Sequence, residues 1–343
     1  MFVTLCTLRQ LPQAFALGDS LRQYTPHLDG PAQVGEPAPF VIGLLDDPAH
    51  LPTGLQPPYP LLPVTEWMAA DELRALSAQY TPTELTGACK PRFLQTIFTS
   101  YPRAGSVVYT DSNLLFFDRT DVIDERLAGA NALLTPHITR APADDRWPDE
   151  KAFQNVGLYS ADFLAFRRSA ETDRLLAWWR DRAEPRAAID FCAGTCTDQL
   201  WLMHVPIFFQ NVKVVNDPGW HVALWNLPER PLSAGGAGWR VGGPAGEDRP
   251  LLFANFKGLH DPDAGFFPHQ NRLRLNTRPD ATHLLTTYRL ALRPHANPAL
   301  GRIQPAYGER PEPRVVRGWR RGVAQSLRAV TRFVNRMPLP VIR

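Results

Sequence analysis

Apolar runs alternate with amphipathic segments at the start of the chain. Phe2 to Leu8 is rich in β-forming residues, and Phe40 to Leu45 is a continuous apolar run that ends in two aspartates. Both runs are typical of strands buried on two faces. Between them, Gln13 to Tyr24 carries apolar residues at helical spacing. This order predicts strand, helix, strand, which begins a parallel sheet.

The same alternation continues after a proline-rich segment. Residues 48–63 are predicted as a surface loop because proline lacks a backbone donor. Glu66 to Tyr80 and Leu85 to Ser100 show helical spacing, and the second helix is predicted to be interrupted at the Lys90-Pro91 step. Val107 to Tyr109 then forms a further strand. The predicted fold class is α/β.

The second half is less regular but still alternates. Its predicted elements are strands at Leu133–His137, Val156–Phe166, Val212–Val215 and Leu251–Phe256, helices at Ala170–Arg182 and Thr197–His204, and a glycine-rich turn at Gly235–Gly246. The whole pattern predicts a Rossmann-type mixed, mostly parallel sheet flanked by helices, followed by a basic C-terminal helical tail.

A polar step interrupts the apolar residues of Ser106 to Phe117, which read SVVYTDSNLLFF. A carboxylate at Asp111 between two strand-like runs needs a cation, a metal-bound phosphate or several donors, because burying it alone is costly. Thr7 and Asp46 likewise follow predicted strands. Ligands bind beyond the carboxyl ends of parallel strands, so these three residues mark the first candidate site.

The C-terminal part changes in composition. We divide the chain into a domain at 1–293, a Pro/Arg-rich linker at 294–312 and a basic amphipathic tail at 313–343. One face of the tail helix carries apolar residues, and the others carry arginines, namely Arg317, Arg320, Arg321, Arg328 and Arg332. Such a helix fits a peripheral anchor on acidic lipid, and equally a helix docked on its own domain.

Composition limits the function classes. The 343 residues are 44% hydrophobic and carry a formal charge of +3, which suits a globular protein and gives no reason to expect nucleic-acid binding. We expect a cytoplasmic protein, peripheral at most at the inner face of the membrane, because no long apolar run or secretion leader is evident. The four cysteines have no zinc-site spacing and are expected to be free, buried thiols.

Several segments together resemble the bacterial glycosyltransferases of the GT-A fold, the nucleotide-diphospho-sugar transferases. The resemblance spans most of residues 1–275 and excludes the tail. Its landmarks are IGLLDD at 42–47, ELTGACKP at 84–91, SVVYTDSNLLFF at 106–117, LLTPHIT at 133–139, TDQLWLMHVP at 197–206, DPGWHVALWNLPER at 217–230 and FANFKG at 253–258.

This resemblance implies a donor site for a nucleotide-diphospho-sugar. Thr7 and Asp46 would lie near the base or ribose, with Lys90, Asp111, Lys257 and Gly258 also at the nucleotide. A divalent cation, Mn²⁺ or Mg²⁺, would be held by Asp111, Asn113 and Asn255. The cation stabilises charge on the departing diphosphate, although amide ligands would hold it weakly or leave it dispensable.

Four positions depart from the family pattern. Asn113 stands where relatives have the second aspartate of Asp-x-Asp, and Asn255 stands where they have histidine, with Lys257 two residues later. Asp162 stands where they have glycine, so it either contacts the acceptor or reshapes the site. Because side chains alternate along a strand, we expect Asn255 and Lys257 on one side, with Lys257, alone or together with Lys90, supplying part of the charge a metal supplies elsewhere.

The acceptor side is assigned by the same resemblance to Asp198, Gln199 and Asp162, with Asp198 as base or sugar-positioning group. His137 is a further candidate, while Trp220-His221 and Trp225-Asn226 form either a stacking and hydrogen-bonding wall for a sugar or buried core. The predicted function is transfer of a sugar to a saccharide or lipid-linked acceptor in surface-glycan synthesis. Two alternatives remain: a non-catalytic relative that binds nucleotide sugar or glycan, and a membrane-surface adaptor that works through its tail.

Overall fold

The computed structural model describes residues 1–25, 40–236, 238–243, 246 and 248–337. Its strands are β1 Phe2–Cys6, β2 Phe40–Leu44, β3 Leu61–Pro63, β4 Ser106–Thr110, β5 Leu114–Phe116, β6 Ala132–Pro136, β7 Tyr159–Arg167, β8 Val212–Val214, β9 Val222–Ala223, β10 Leu232–Gly235, β11 Gly238–Gly242, β12 Asp248–Pro250 and β13 Phe253–Asn255. Its helices are α1 Leu11–Tyr24, α2 Ala70–Gln79, α3 Pro82–Ser100, α4 Asp121–Leu127, α5 Glu150–Val156, α6 Ala170–Ala183, α7 Val205–Phe208, α8 Pro279–Leu292 and α9 Trp319–Arg336.

The central sheet has the strand order β3-β2-β1-β4-β7-β6-β8. Its neighbours pair in parallel except at β7, which runs antiparallel to both β4 and β6. The chain proceeds from β1 outward through β2 and β3, then crosses to β4 on the other side of β1. The predicted mixed, mostly parallel α/β fold is confirmed, and the strand order reverses between β1 and β4.

Both faces of this sheet are covered. Along β1, Val3 and Leu5 pack in the cluster that includes α3 and α6, while Phe2 and Cys6 pack in the cluster that includes α1 and α4. Successive side chains of a strand point to opposite faces. The unbroken apolar runs in the sequence therefore follow from burial on two sides.

Helix α3 runs through Pro91 without a break, so the predicted interruption is wrong. A capping box closes its amino end, with Thr81 accepting from the Glu84 backbone N–H and Glu84 accepting from Thr81. Pro91 removes one backbone donor. The helix tolerates this loss because it packs in the core on both sides of the proline, with Leu85 and Phe93 wholly buried.

The glycine-rich stretch is a second correction. The predicted turn at 235–246 forms part of an antiparallel three-stranded sheet, β10-β11-β12, although residues 237, 244 and 245 lie outside the described part. Leu232 pairs with Val241 across the strands, and both side chains are buried. Glycines conceal these two apolar positions from a pattern search, which is why the strands were not predicted. Leu61–Pro63 of the predicted proline-rich loop also pairs, as β3, beside β2.

The thiols partly differ from expectation. All four cysteines are free, and Cys6, Cys89 and Cys196 are buried. Cys192 is exposed, so the expectation of burial is wrong there. It lies in the loop between α6 and the 3-10 helix at Gln199–His204, where its backbone N–H bonds Asp190.

Residue contacts divide the chain into Met1–Pro311 and Glu312–Arg343. Residues 294–311 belong to the first unit, in which Leu300 is buried and the Ala306 N–H donates to Asp46. The predicted limits of a separate linker remain a prediction. Helix α9 lies in the second unit. The side chains of Arg328 and Arg332 lie outside what the structure describes, as do residues 338–343. In the described part, no helix has both the length and the apolar character to cross a membrane.

Candidate functional site

The candidate site lies at the carboxyl edge of the central sheet. Thr7, Asp46 and Asp111 directly follow, or nearly follow, β1, β2 and β4, as the sequence predicts. The Asp111 backbone N–H donates to the carbonyl of Asp162 at 2.7 Å. The Oδ1 atom of Asp111 accepts from the backbone N–H of Asn113 at 3.0 Å and from the side-chain amide of Asn113 at 2.9 Å, and these bonds close a tight turn.

Lys257 joins two carboxylates at this edge. Its Nζ lies 2.8 Å from Asp111 Oδ2 and 2.7 Å from Asp162 Oδ1. The Asn255 amide donates to the other oxygen of Asp162 at 2.7 Å. Asn255 and Lys257 therefore reach the same carboxylate, in agreement with the alternation predicted for this strand. Asp111 and Asp162 approach each other because β4 and β7 are adjacent.

The charges of this cluster depend on one another. Burial by itself raises the pKa of Asp162, but the charges of Lys257 and Lys90 and the bonds to Lys257 and Asn255 outweigh it and hold the pKa below its usual value. Burial lowers the pKa of Lys257, and Asp111 and Asp162 raise it above its usual value. Lys257 is therefore cationic and Asp162 anionic at neutral pH.

A second ion pair lies deeper. Lys90 Nζ is 2.8 Å from Asp198 Oδ2, donates to the carbonyl of Ala161 at 3.0 Å and lies 4.7 Å from the centre of the Tyr109 ring. Burial raises the pKa of Asp198, and Lys90 opposes that rise. Ala161 precedes Asp162 in β7. Lys90 therefore contacts Asp198 directly and the backbone next to Asp162, and these are the two predicted acceptor-side carboxylates.

The turn that carries Asp198 packs closely against helix α3. Thr197 has a φ of 48°, the left-handed region that a β-branched residue seldom adopts. A Cβ placed on Gly87 of α3 would lie 2.8 Å from Asp198 Oδ1 and 3.0 Å from Thr197 Cβ. Gly87 therefore gives the turn the space it needs. The side-chain amide of the neighbouring Gln199 bonds to the main chain: its oxygen accepts from the Ala161 N–H and its nitrogen donates to the Val156 carbonyl.

His221, which follows Trp220 in the predicted sugar-binding wall, extends the network to Thr135. Its Nε2 lies 3.3 Å from the Asn255 amide, and its Nδ1 lies 2.7 Å from the hydroxyl of Thr135. Burial lowers the pKa of His221 well below its usual value. Sequence reasoning did not single out Thr135, because a threonine at the end of β6 has no spacing signal that links it to residues 86 and 120 positions later.

A small cavity of about 10 Å³ adjoins the cluster, with room for about one water molecule. Asp162, Lys257, Gln199, His137 and Trp225 are among its lining residues. His137 is buried and, among the described residues, its Nδ1 has no hydrogen-bond partner. Burial lowers its pKa to about 4. The segment from Gly258 to Phe267 closes the other side.

Both tryptophans are buried, at 6% exposed for Trp225 and 4% for Trp220, and a sugar-binding role for either stays a prediction. Trp225 lines the cavity, whereas Trp220 packs in the core against Phe163 and Phe253. Asn226, beside Trp225, holds backbone by donating to the carbonyls of His137 and His221 and accepting from Ala223.

Thr7 and Asp46 are not drawn into the Lys257 cluster. The Asp46 carboxylate is wholly buried and accepts from the backbone N–H groups of Leu8, Asp47 and Ala306. Thr7 bonds to Gln10 within the same turn. Their predicted contact with a base or ribose remains a prediction.

The predicted metal ligands do not fit a divalent cation in this arrangement. The Asn255 side-chain nitrogen donates to Asp162 and also faces His221 Nε2, and its oxygen accepts the Lys257 backbone N–H at 2.9 Å. Asp111 Oδ1 is held by Asn113, and Asp111 Oδ2 is held by Lys257. Within the described residues, no group of three or more His, Cys, Asp or Glu side chains is arranged to hold a metal ion.

The chain shows low sequence identity to known proteins. No family model matches the chain. It is 25% identical over 203 residues to the uncharacterized protein YfnD of Bacillus subtilis (strain 168), covering 56% of this chain and 59% of that protein. The matched region thus spans about three fifths of its relative's length.

Among solved structures, galactosyltransferase LgtC with donor and acceptor sugar analogues aligns at a TM-score of 0.43 and 15% identity, over 85% of this chain and 96% of LgtC. A glycosyltransferase involved in glycosylation of the major capsid of PBCV-1 aligns at a TM-score of 0.39 and 10% identity, over 75% of this chain and 93% of that one.

Proposed function

We propose that this protein is a glycosyltransferase that moves a sugar from a nucleotide-diphospho-sugar to a saccharide or lipid-linked acceptor in surface-glycan synthesis. One observation carries the proposal. The Asp111–Lys257–Asp162 cluster lies at the carboxyl end of β4, and the strand order reverses between β4 and its neighbour β1. Open α/β sheets bind their ligands at that point. The sequence resemblance described above supports the same class.

The cluster suits a reaction that releases an anion. Transfer breaks the bond between the anomeric carbon and the diphosphate oxygen, which leaves negative charge on that oxygen. Lysine has three N–H donors, and among the described residues Lys257 gives its side-chain bonds to Asp111 and Asp162. The third donor is left for a phosphate oxygen.

Asp162 is our candidate for the acceptor side. It is anionic at neutral pH and lines the cavity, so it can accept a hydrogen bond from an acceptor hydroxyl. Gln199 and His137 line the same cavity, and His137 Nδ1, which has no partner among the residues that the structure describes, supplies a further hydrogen-bonding group for a sugar hydroxyl. Asp198 would act indirectly on Asp162, by holding Lys90 in place next to it.

Substrate entry requires the cavity to open, because about 10 Å³ cannot hold a sugar ring. The covering segment from Gly258 to Phe267 has two glycines with positive φ, Gly258 at 75° and Gly265 at 79°. The Gly265 Cα packs close to the aliphatic part of Lys257, since a Cβ there would lie 3.2 Å from Lys257 Cγ. Movement of this segment would expose Lys257 and Asp162 together.

The proposal is tested with a panel of nucleotide-diphospho-sugars, with and without Mn²⁺. A donor is expected to raise the melting temperature and then to release nucleoside diphosphate when acceptors are added. Asp111→Asn should lose the shift, and Arg74→Ala, an exposed residue outside the site, should keep it. Binding without any release favours the non-catalytic relative, and no shift with any donor contradicts both functions.

We also propose that the tail contacts an acidic membrane surface on the cytoplasmic side. Residues 313–343 contain eight arginines and no acidic residue. On α9, the apolar side chains of Trp319, Leu327 and Phe333 are 63–76% exposed. Exposed apolar residues beside arginines complement anionic lipid headgroups and the acyl chains beneath them. This attachment would bring the donor site to a lipid-linked acceptor.

A further inference from the structure

We infer that the Lys257 ammonium takes the place of a divalent cation at this site, so that the protein binds its donor without a metal. The first part rests on the geometry of the cluster alone. The second part rests on the proposed function, since it concerns the donor.

The position of Nζ carries the first part. It lies 2.8 Å from Asp111 Oδ2 and 2.7 Å from Asp162 Oδ1, between two carboxylates that come from different strands. A Mg²⁺ ion bridging the same two oxygens would lie about 2.1 Å from each. That position overlaps the ammonium, so the lysine and the metal cannot both occupy it.

The amides around the two carboxylates suit an ammonium better than a metal ion. Asn255 offers Asp162 an N–H donor at 2.7 Å, which holds the carboxylate in place without adding charge. Asn113 holds Asp111 in the same way, through two N–H groups at 3.0 and 2.9 Å. A metal ligand set requires oxygen or nitrogen lone pairs directed at the ion, whereas these amides direct their donors at the carboxylates.

Three sequence departures meet in this one place. Asp162, Asn255 and Lys257 are three of the four positions at which the chain differs from the family it resembles, Asn113 being the fourth, and in the structure these three bond to one another. A carboxylate gained at position 162 would be uncompensated without a cation, and the lysine 95 residues later supplies it.

The test measures Mn²⁺ binding to the full-length protein by the loss of the free-ion electron paramagnetic resonance signal. Wild type is expected to bind no Mn²⁺ at the cluster. Lys257→Ala should bind one ion, with an affinity at least about tenfold above the weakest binding that the measurement detects, because it frees two carboxylates. Adding Asp111→Asn to that variant should abolish the gain. Lys213→Ala, which removes an exposed lysine that donates to the backbone carbonyls of Arg126 and Ala128, is the matched control.

Two results would overturn the inference. One is stoichiometric Mn²⁺ binding by wild type that Asp111→Asn removes, and the other is a Lys257→Ala variant that binds no more Mn²⁺ than wild type. If Lys257→Ala does not fold, Lys257→Gln removes the charge and keeps a donor of similar length, and the same comparison applies.

Donor binding is measured separately by calorimetry in a chelator. Equal affinity with and without chelator is expected. A donor that binds only with Mn²⁺ overturns the metal-free inference and leaves the glycosyltransferase proposal standing. If no donor binds while Mn²⁺ behaves as expected, the proposed function fails and the ammonium still occupies the cation position.

Discussion

Lys90 and Asp198 form an ion pair of 2.8 Å in which the side chains are 6% and 3% exposed. Three further contacts fix the pair: Lys90 donates to the carbonyl of Ala161, its ammonium lies over the Tyr109 ring, and the Trp179 indole donates to the carbonyl of Asp198. The pair connects α3 to the strand that carries Asp162. Its loss should therefore affect both stability and the site.

Lys90→Met should destabilise the protein by about 3–5 kcal/mol, because it leaves a buried carboxylate without a partner. The measurement is the free energy of unfolding in urea. Arg74→Ala, which breaks an exposed pair with Asp71, serves as control and should change stability by less than about 1 kcal/mol. Equal losses in the two variants would contradict the structural role of the buried pair.

Lys257 and Asp162 should be thermodynamically coupled. Lys257→Met leaves two neighbouring carboxylates unpaired, and Asp162→Asn removes one of them, so the double variant should lose less than the sum of the single losses. We expect a coupling energy of about 1–3 kcal/mol in a double-mutant cycle on unfolding. Strict additivity would show that the two side chains do not interact in solution.

His137 should make the protein sensitive to mild acid. Its pKa falls from 6.5 to about 4 on folding because burial disfavours the charged ring. A depressed pKa contributes stability that is present above pH 6.5 and is lost as the pH falls towards 4. From pH 7 to pH 5 this amounts to about 2 kcal/mol. His137→Phe should lose less stability than wild type over the same interval, as measured by urea unfolding at each pH. Parallel losses would contradict this assignment.

Gly87→Ala should destabilise the protein although alanine favours helices by about 1 kcal/mol over glycine. The added Cβ would meet Asp198 Oδ1 at 2.8 Å, so the turn behind the site must shift. We expect a lower melting temperature and weaker donor binding. Gly105→Ala, where a Cβ meets nothing within 4 Å, should leave both unchanged. A stabilised Gly87→Ala would mean that the turn relaxes freely.

Binding to acidic liposomes should depend on the tail. Full-length protein should sediment with vesicles rich in phosphatidylserine, less so as salt screens the arginines, and deletion of residues 312–343 should abolish sedimentation. Neutral phosphatidylcholine vesicles are the control. Arg320→Glu with Arg321→Glu should weaken binding by roughly 2 kcal/mol or more, at about 1 kcal/mol per lost positive charge. A truncated protein that still sediments would place the membrane contact elsewhere.

Much of the fold could be predicted from the sequence because burial on two faces leaves a local signal. β1, β2 and β4 are apolar runs, and α1 and α6 show helical spacing. The prediction failed where that local signal was misleading. Pro91 lies within a continuous helix because core packing outweighs one missing hydrogen bond, and β10 and β11 pair although glycines obscure their two buried positions.

The candidate site could be predicted in part. The sequence placed Asp111 after a buried strand and predicted that Asn255 and Lys257 share a side, because strand direction and side-chain alternation are local properties. It could not show that the Gln199 side chain bonds to the backbone of Ala161 or that Thr135 bonds to His221, since both bonds join segments that are distant in the chain.

The sequence by itself therefore determined the α/β alternation and the edge of the sheet at which charged residues gather. Only the tertiary structure decided which charges meet. Lys257 contacts Asp162, 95 positions away, because β13 lies beside β5 and β7 lies beside β4, which brings the ends of two sheets together. Ion pairing depends on distances of a few ångströms, and distances between remote segments are fixed by packing.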